Sequence, residues 1–126
     1  MRYSRQRELI LKKVNAMDNH PTAEEIYEEA GKDSPGLSLG TVYRNLNVLA
    51  DAGMVRRVSI PGKADRFDHT LRQHSHRYCT TCGCVDDVMM DDNAIMQIVK
   101  QGDSSATDYS LVVFGTCDAC RKKAGM

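Results

Sequence analysis

The sequence has no apolar run that approaches membrane-spanning length, and its start, "MRYSRQRELILKK", lacks the apolar stretch of a secretory leader. A cytosolic location with no membrane partner is the resulting expectation. There is no excess charge of either sign: 17 Lys and Arg stand against 17 Asp and Glu. No global field therefore draws the chain onto nucleic acid. No internal repeat and no low-complexity tract is present. Also missing are the HExxH of zinc proteases and the deaminase pairing of H-x-E with P-C-x-x-C, so a catalytic-metal enzyme has no recognisable carrier here. The expectation is that the protein is not an enzyme.

What is present is ordinary in bulk and uneven in detail. The 126 residues suit one domain or two small ones, with 41% hydrophobic and 27% charged content. Arg2, Arg5, Arg7, Lys12 and Lys13 face only Glu8 in the first 13 residues. Residues 79–110 hold six aspartates against Lys100 alone. A basic start and an acidic later half suggest two functional faces.

Periodicity predicts a first helix over residues 5–16, with Leu9, Ile10, Lys13 and Val14 at helical spacing. In "HPTAEEIYEEA", Thr22 and Glu25 have the spacing of a capping box, and Gly31 and then Pro35-Gly36 are expected to end that helix. "LSLGTVYRNLNVLADAGMV" reads as a third helix, capped by Ser38 and stopped at Gly53. Leu39, Val42, Leu46 and Leu49 share one face; Gly40, Arg44, Asn47 and Asp51 share the opposite one. "VRRVSI" and "DRFD" around Pro-Gly read as a hairpin. Three helices followed by a hairpin predict a winged helix-turn-helix. Beyond residue 70, "HSHRYC" and "CVDDVMM" read as strands, "DNAIMQIVKQ" as a helix and "YSLVVFGTC" as a strand. The fold class expected is α+β: a winged helix over residues 1–69 and a small α/β domain over residues 70–126.

Two clusters carry chemistry. Cys79-x2-Cys82 and Cys117-x2-Cys120 are separated by 34 residues. In a reducing compartment such pairs point to a closed tetrahedral zinc site. A dithiol redox pair is the competing reading, weakened by the lack of a βαβ pattern around either pair. Cys84 is left over, on the same segment as Cys82 and able to compete with it. The second cluster is His74-x-His76. Residues two apart on a strand point to one face, so two imidazoles present a pair of nitrogen donors. Mixed nitrogen and oxygen donors suit Fe(II), Mn(II) or Zn(II), and spacing does not choose among them. His20, Asp68 and Asp87, each taken alone, read as a surface histidine, a turn former and a solvated acid.

The combination "HPTAEEIY", "LSLGTVYRNLNVLADAGMV", "RFD", "HSHRYCTTCG" and "CDAC" resembles the ferric uptake regulator family of metal-dependent transcription factors, over nearly the whole chain. The resemblance implies a DNA-binding winged helix followed by an α/β dimerisation domain, hence a homodimer on a pseudo-palindromic double-stranded operator. It implies structural zinc on Cys79, Cys82, Cys117 and Cys120. The peroxide-sensing branch of that family is the most similar. Its regulatory Fe(II) or Mn(II) site would map to His20, Asp68, His74, His76 and Asp87, where the iron-sensing branch usually carries glutamates at the two acidic positions. Peroxide would then oxidise a ligand histidine, His20 or His74, and end repression.

Within such a fold, Arg44 and Asn47 are expected at base edges or phosphates, with Tyr43 beside them and Thr41 near a phosphate. Arg57, with Arg56 and Lys63, would touch the backbone from the wing. Two departures from the family pattern stand out. "RYSRQR" aligns with the start of the family's second helix. Asp108 and Tyr109 stand where many members carry histidines of a further metal site, so no site of that type is expected. The alternative function is a repressor responding to iron, manganese or zinc without peroxide chemistry. A metal-buffering module without DNA binding is a third class.

Overall fold

In the computed structural model, which describes residues 4–70 and 75–125, the chain folds as two units, Met1–Arg72 and Gln73–Met126, each with its own sheet. In the first unit, helices α1 (Arg5–Ala16), α2 (Ala23–Asp33) and α3 (Leu39–Asp51) precede strands β1 (Arg56–Val58) and β2 (Arg66–Asp68). Local chemistry explains where each helix starts. Ser4, Thr22 and Ser38 each accept a backbone N–H of the first turn through the side chain. Thr22 and Glu25 complete the capping box: Glu25 N–H donates to Thr22 Oγ1 at 3.2 Å, and Thr22 N–H donates to Glu25 Oε1 at 3.1 Å.

The end of α3 is a Schellman motif. Gly53 N–H donates to the Ala50 carbonyl at 3.0 Å and Met54 N–H to the Leu49 carbonyl at 2.9 Å. Gly53 takes φ +74, the left-handed conformation that the motif requires. α2 corrects one expectation. It runs through Gly31 to Asp33, because an interior glycine costs about 1 kcal/mol without breaking a helix. The stop comes at Ser34, which the following Pro35 pushes out of helical geometry to φ −141 and ψ 83.

The helices close over Ile10, Val14, Ile26, Ala30, Val42, Leu46, Leu49 and Phe67, all buried. Leu39 sits at the margin of this core and Asn45 replaces it inside. Asn45 Nδ2 donates to the Thr41 carbonyl at 2.9 Å, and its Oδ1 accepts from Arg7 Nε at 3.0 Å, which ties α3 to α1. β1 and β2 pair antiparallel with Arg57 opposite Phe67. Between them Pro61 and Gly62 form a tight turn, with Gly62 at φ +75 and Lys63 N–H donating to the Ile60 carbonyl at 3.0 Å. The strands are shorter than the apolar pattern suggests. This unit is a winged helix-turn-helix.

The second unit holds β3 (Ser75–Cys79), β4 (Val85–Val88), α4 (Asp92–Gly102), β5 (Val112–Gly115) and α5 (Asp118–Lys123). Its sheet has the order β4-β3-β5, with β3 antiparallel to β4 and parallel to β5. α5 is a helix that periodicity did not reveal; six residues are too few to show a repeat.

Gly53→Ala tests the helix stop. Nothing lies within 4 Å of a Cβ built there, so the cost is backbone strain alone. A loss of about 1–2 kcal/mol in thermal or urea unfolding is expected, with metal content unchanged.

Candidate metal centres

β3 ends at Cys79, where the chain reverses through Cys82 into β4. Gly83 makes the reversal, at φ +79, with its N–H donating to the Cys79 carbonyl at 2.8 Å. Cys79 N–H donates to the Cys84 carbonyl at 2.9 Å. On its other edge, β3 pairs Cys79 with Gly115, and Thr80 N–H donates to the Gly115 carbonyl at 2.8 Å. That pairing delivers Cys117, two residues on, as the N-cap residue of α5. The long gap between the two CxxC pairs is thus closed by one parallel strand pair.

The sulfurs converge. Cys82 Sγ and Cys117 Sγ are 3.8 Å apart. The sulfurs of Cys79, Cys82, Cys84 and Cys117 all lie within 4.8 Å of one another. None of the five cysteines is in a disulfide. The amides of Cys117 and Cys82 both donate to Cys79 Sγ at 3.4 Å. Those two donors, Cys117 first, pull the Cys79 thiol down from 9.0 to about 5. Cys117 is lowered too, first by the Cys120 amide. Burial pushes Cys84 up, and the Cys117 sulfur pushes Cys120 up to about 12. Crowded sulfurs share protons: two favour the thiolate and their neighbours act as thiol donors. A divalent cation lifts that restriction, so the donor set fits zinc. Cys120 touches Cys117, Cys82 and Cys79 through its thiol but does not belong to the mutually close set of four. Cys84 does belong to it. The spacing of Cys82 and Cys84 on one segment was its sequence signal.

Each unit sets a histidine against an aspartate. In the first, His20 Nε2 lies 3.2 Å from Asp68 Oδ2, and both residues are buried. Among the described residues, His20 is the only non-glycine with positive φ, at +54. Strand-like bonds hold that segment against β2: Phe67 N–H donates to the Pro21 carbonyl at 2.8 Å, and Arg66 Nη1 donates to the His20 carbonyl at 3.2 Å. Asp68 Oδ1 accepts from Thr70 N–H at 2.9 Å, which orients its carboxylate. The fourth histidine, His69, is 2.9 Å from Asp18 and is a pair that spacing did not suggest. In the second unit, His76 on β3 lies directly opposite Asp87 on β4, with Nε2 and Oδ1 3.7 Å apart. Asp87 is half-exposed while His76 is buried. His74 lies outside the described residues. A buried imidazole beside a carboxylate is a donor pair that fits a divalent ion.

The expected reading face of α3 points outward. Tyr43, Arg44 and Asn47 are exposed and Thr41 is half-buried. They are tied together: Arg44 Nη2 donates to Thr41 Oγ1 at 3.0 Å, and Arg57 Nη2 from the wing donates to Asn47 Oδ1 at 2.6 Å.

Comparison with known proteins follows the same lines. The model of the Ferric uptake regulator family matches residues 1–114. The peroxide-responsive repressor PerR of Staphylococcus aureus is 32% identical over 125 residues, covering 98% of this chain and 84% of that protein. Among solved structures, the Vibrio cholerae ferric uptake regulator Fur matches with a TM-score of 0.76 at 30% identity, over 93% of this chain and 92% of that one. The Campylobacter jejuni peroxide stress regulator matches with a TM-score of 0.73 at 28% identity, over 91% and 88% respectively.

The Cys79 shift gives a pH prediction. The folded pKa of about 5 lies below the ordinary 9.0, so the stabilisation from the ionised sulfur is complete above 9.0 and is lost as pH falls through about 5. Zinc bound by these thiolates should resist dialysis at neutral pH and be released as acid protonates the sulfurs, read by elemental analysis; a metal content unchanged when the cysteines are replaced by serine would contradict a thiolate site.

Proposed function

The chain belongs to the ferric uptake regulator family, and we propose that within it the protein is a metal-dependent DNA-binding repressor that senses peroxide. The observation that carries this reading is the pair of imidazole–carboxylate sets, His20–Asp68 and His76–Asp87, one on each unit. We propose that the two sets, with His74, serve one Fe(II) or Mn(II) ion, and that a structural zinc sits in the cysteine cluster.

Each residue then has a task. Asp68 is the last residue of the wing strand β2, and His20 stands three residues before α2. Metal donors on these two positions belong to the DNA-binding unit itself. His76 and Asp87 answer from β3 and β4 of the second unit. An ion held by both sets links the orientation of the winged helix to that of the dimerisation domain, and its differential affinity for that arrangement shifts the population towards DNA binding. Fe(II), when bound, would supply the redox chemistry by which one peroxide oxygen takes a hydrogen's place on an imidazole carbon, as C–OH, and the other oxygen leaves as water with that hydrogen. The imidazole that is altered no longer serves as a ligand. His20 and His74 are the proposed targets. Similarity to the Staphylococcus aureus repressor supports peroxide sensing, and carboxylates of aspartate length at 68 and 87 agree with it.

Arg44, Asn47, Tyr43 and Thr41 on α3 and Arg57 on the wing are the proposed DNA contacts, read in successive major grooves of a pseudo-palindrome by a homodimer. The second unit supports a dimer. Its helix α4 buries no residue, and Met89, Met90, Ile98 and Phe114 are exposed. A second copy of this unit would cover such a surface.

Two measurements test the proposal. Protein loaded with Fe(II) or Mn(II) is given stoichiometric peroxide and weighed intact. The Fe(II) form should gain one oxygen, mapped to His20 or His74, while the Mn(II) form stays unchanged. An unchanged Fe(II) form would leave a metal sensor without peroxide chemistry. The second measurement uses His20→Asn, chosen because asparagine tolerates positive φ and isolates loss of the imidazole from backbone effects. It should retain zinc yet bind Mn(II) at least tenfold more weakly, as read from the paramagnetic resonance of free Mn(II). Unaltered Mn(II) affinity would remove His20 from the site.

A further inference from the structure

Asn47 on α3 and Arg57 on the wing are joined by a hydrogen bond, in which Arg57 Nη2 donates to Asn47 Oδ1 at 2.6 Å. A guanidinium carries N–H donors and no acceptor. The bond therefore fixes which end of the Asn47 carboxamide is used. The oxygen is turned to Arg57, and the NH2 is left for an outside partner. Arg57 is itself oriented by the wing. Its Nε lies 3.8 Å from Asp65 Oδ2, and its guanidinium carbon lies 6.0 Å from the centroid of the Phe67 ring. Phe67 stands opposite Arg57 in the β1–β2 register and is buried in the core. The bond to Asn47 is thus set by the fold of this unit.

The consequence follows from the donor and acceptor pattern of the major groove. A carboxamide with both ends open pairs bidentately with adenine, accepting from N6 and donating to N7. With Oδ1 occupied, Asn47 meets adenine N6 with one NH2 against another. Guanine offers two acceptors, O6 and N7, and thymine offers O4; both suit a group that only donates. Cytosine presents a donor at N4. Arg44, three residues earlier on the same outward face, likewise only donates.

We propose that Arg57 sets the base preference of Asn47: by occupying Oδ1 it makes Asn47 a reader of guanine or thymine and closes the pairing with adenine. This rests on the reading of α3 as the DNA-contacting helix and adds which bases that helix accepts. Arg57 is a positioning residue in this respect, and its other N–H groups stay open to phosphate.

The test is a selection from a random duplex library by the zinc- and Mn(II)-loaded full chain, read by sequencing. Asn47→Ala, Arg57→Ala and the double variant are run in parallel. The position whose preference is lost in Asn47→Ala is the one that Asn47 reads. There the wild type should hold guanine or thymine on the contacted strand. Arg57→Ala should shift that strand to adenine by about tenfold, with the other positions unchanged. Loss of a phosphate contact alone would weaken all sequences alike and leave this ratio untouched. The double variant should match Asn47→Ala at that position. Where the wild-type pair is A·T, 7-deazaadenine in place of its adenine identifies the base read. Unchanged wild-type affinity supports thymine; weaker binding marks adenine and overturns the proposal. An Arg57→Ala preference equal to the wild type's also overturns it, as does an Arg57 effect that survives without Asn47. The wild-type preference needs only the surface variant Asn47→Ala, so it decides even where Arg57→Ala fails to fold. A selected sequence that Asn47→Ala leaves unchanged sinks this inference alone. A wild type that enriches no sequence sinks the DNA-binding reading with it.

Discussion

Strand β3 is hydrogen-bonded along both edges, and its register sets the metal chemistry of the second unit. Across β4, His76 meets Asp87 and Arg77 meets Asp86. Across β5, Cys79 meets Gly115. Side chains alternate, so a slip of one residue would turn His76 away from Asp87 and carry Cys79 ~3.3 Å from its place beside Cys117. The slip is opposed on the other face, where Arg77 Nη2 donates to Asp86 Oδ2 at 2.8 Å. That ion pair thus guards the register on which the donors depend.

The two units are stabilised by different means. The first closes over a continuous set of aliphatic side chains with Phe67. The second buries few apolar groups: among its described residues these are Cys79, Val85 and Cys117, and two of the three are proposed ligands. At about 25 cal/mol per Å² of buried apolar surface, so little burial does not offset the entropy of ordering some fifty residues. Zinc and the proposed second copy would supply the remaining stability. The cysteine cluster is then as much a folding device as a cofactor site, which is the physical reason to keep it separate from the proposed switching ion.

Much of the fold was legible because it is locally determined. Thr22 and Ser38 announce helix starts by side chains that reach no further than the first turn, and Gly53 announces a stop by its own φ. The outward face of α3 followed from periodicity alone. What could not be read depends on partners far away in sequence. Asn45 looks like a surface residue until Arg7 crosses from α1 to bond it. Gly31 looks like a helix end because its penalty is visible and the packing of Ile26 and Ala30 around it is not. Cys84 looked left over because motif spacing counts neighbours along the chain, whereas sulfur positions depend on the reversal at Gly83. The family resemblance supplied His20, Asp68 and Asp87 as a set; no spacing argument joins them.

His20 shows how the first unit fixes an imidazole beside a carboxylate. A left-handed non-glycine backbone costs on the order of 1–3 kcal/mol and persists only where the surroundings over-determine it. Here they do: bonds from Arg66 and Phe67 hold the carbonyls of His20 and of Pro21 after it, and Asp68 lies against the ring. The strain is met by the folding of the winged helix, before any ion arrives. In the proposed switch this matters for the division of binding energy. An ion that had to order His20 and Asp68 would lose affinity to that task without favouring one arrangement of the units over another. With each donor pair set by its own unit, the ion's affinity is free to act on their relative orientation, the only difference that shifts the population. By the same argument, loss of one imidazole removes a ligand while the helices, wing and cysteine cluster keep their folds. A sensor built this way loses DNA binding and does not unfold.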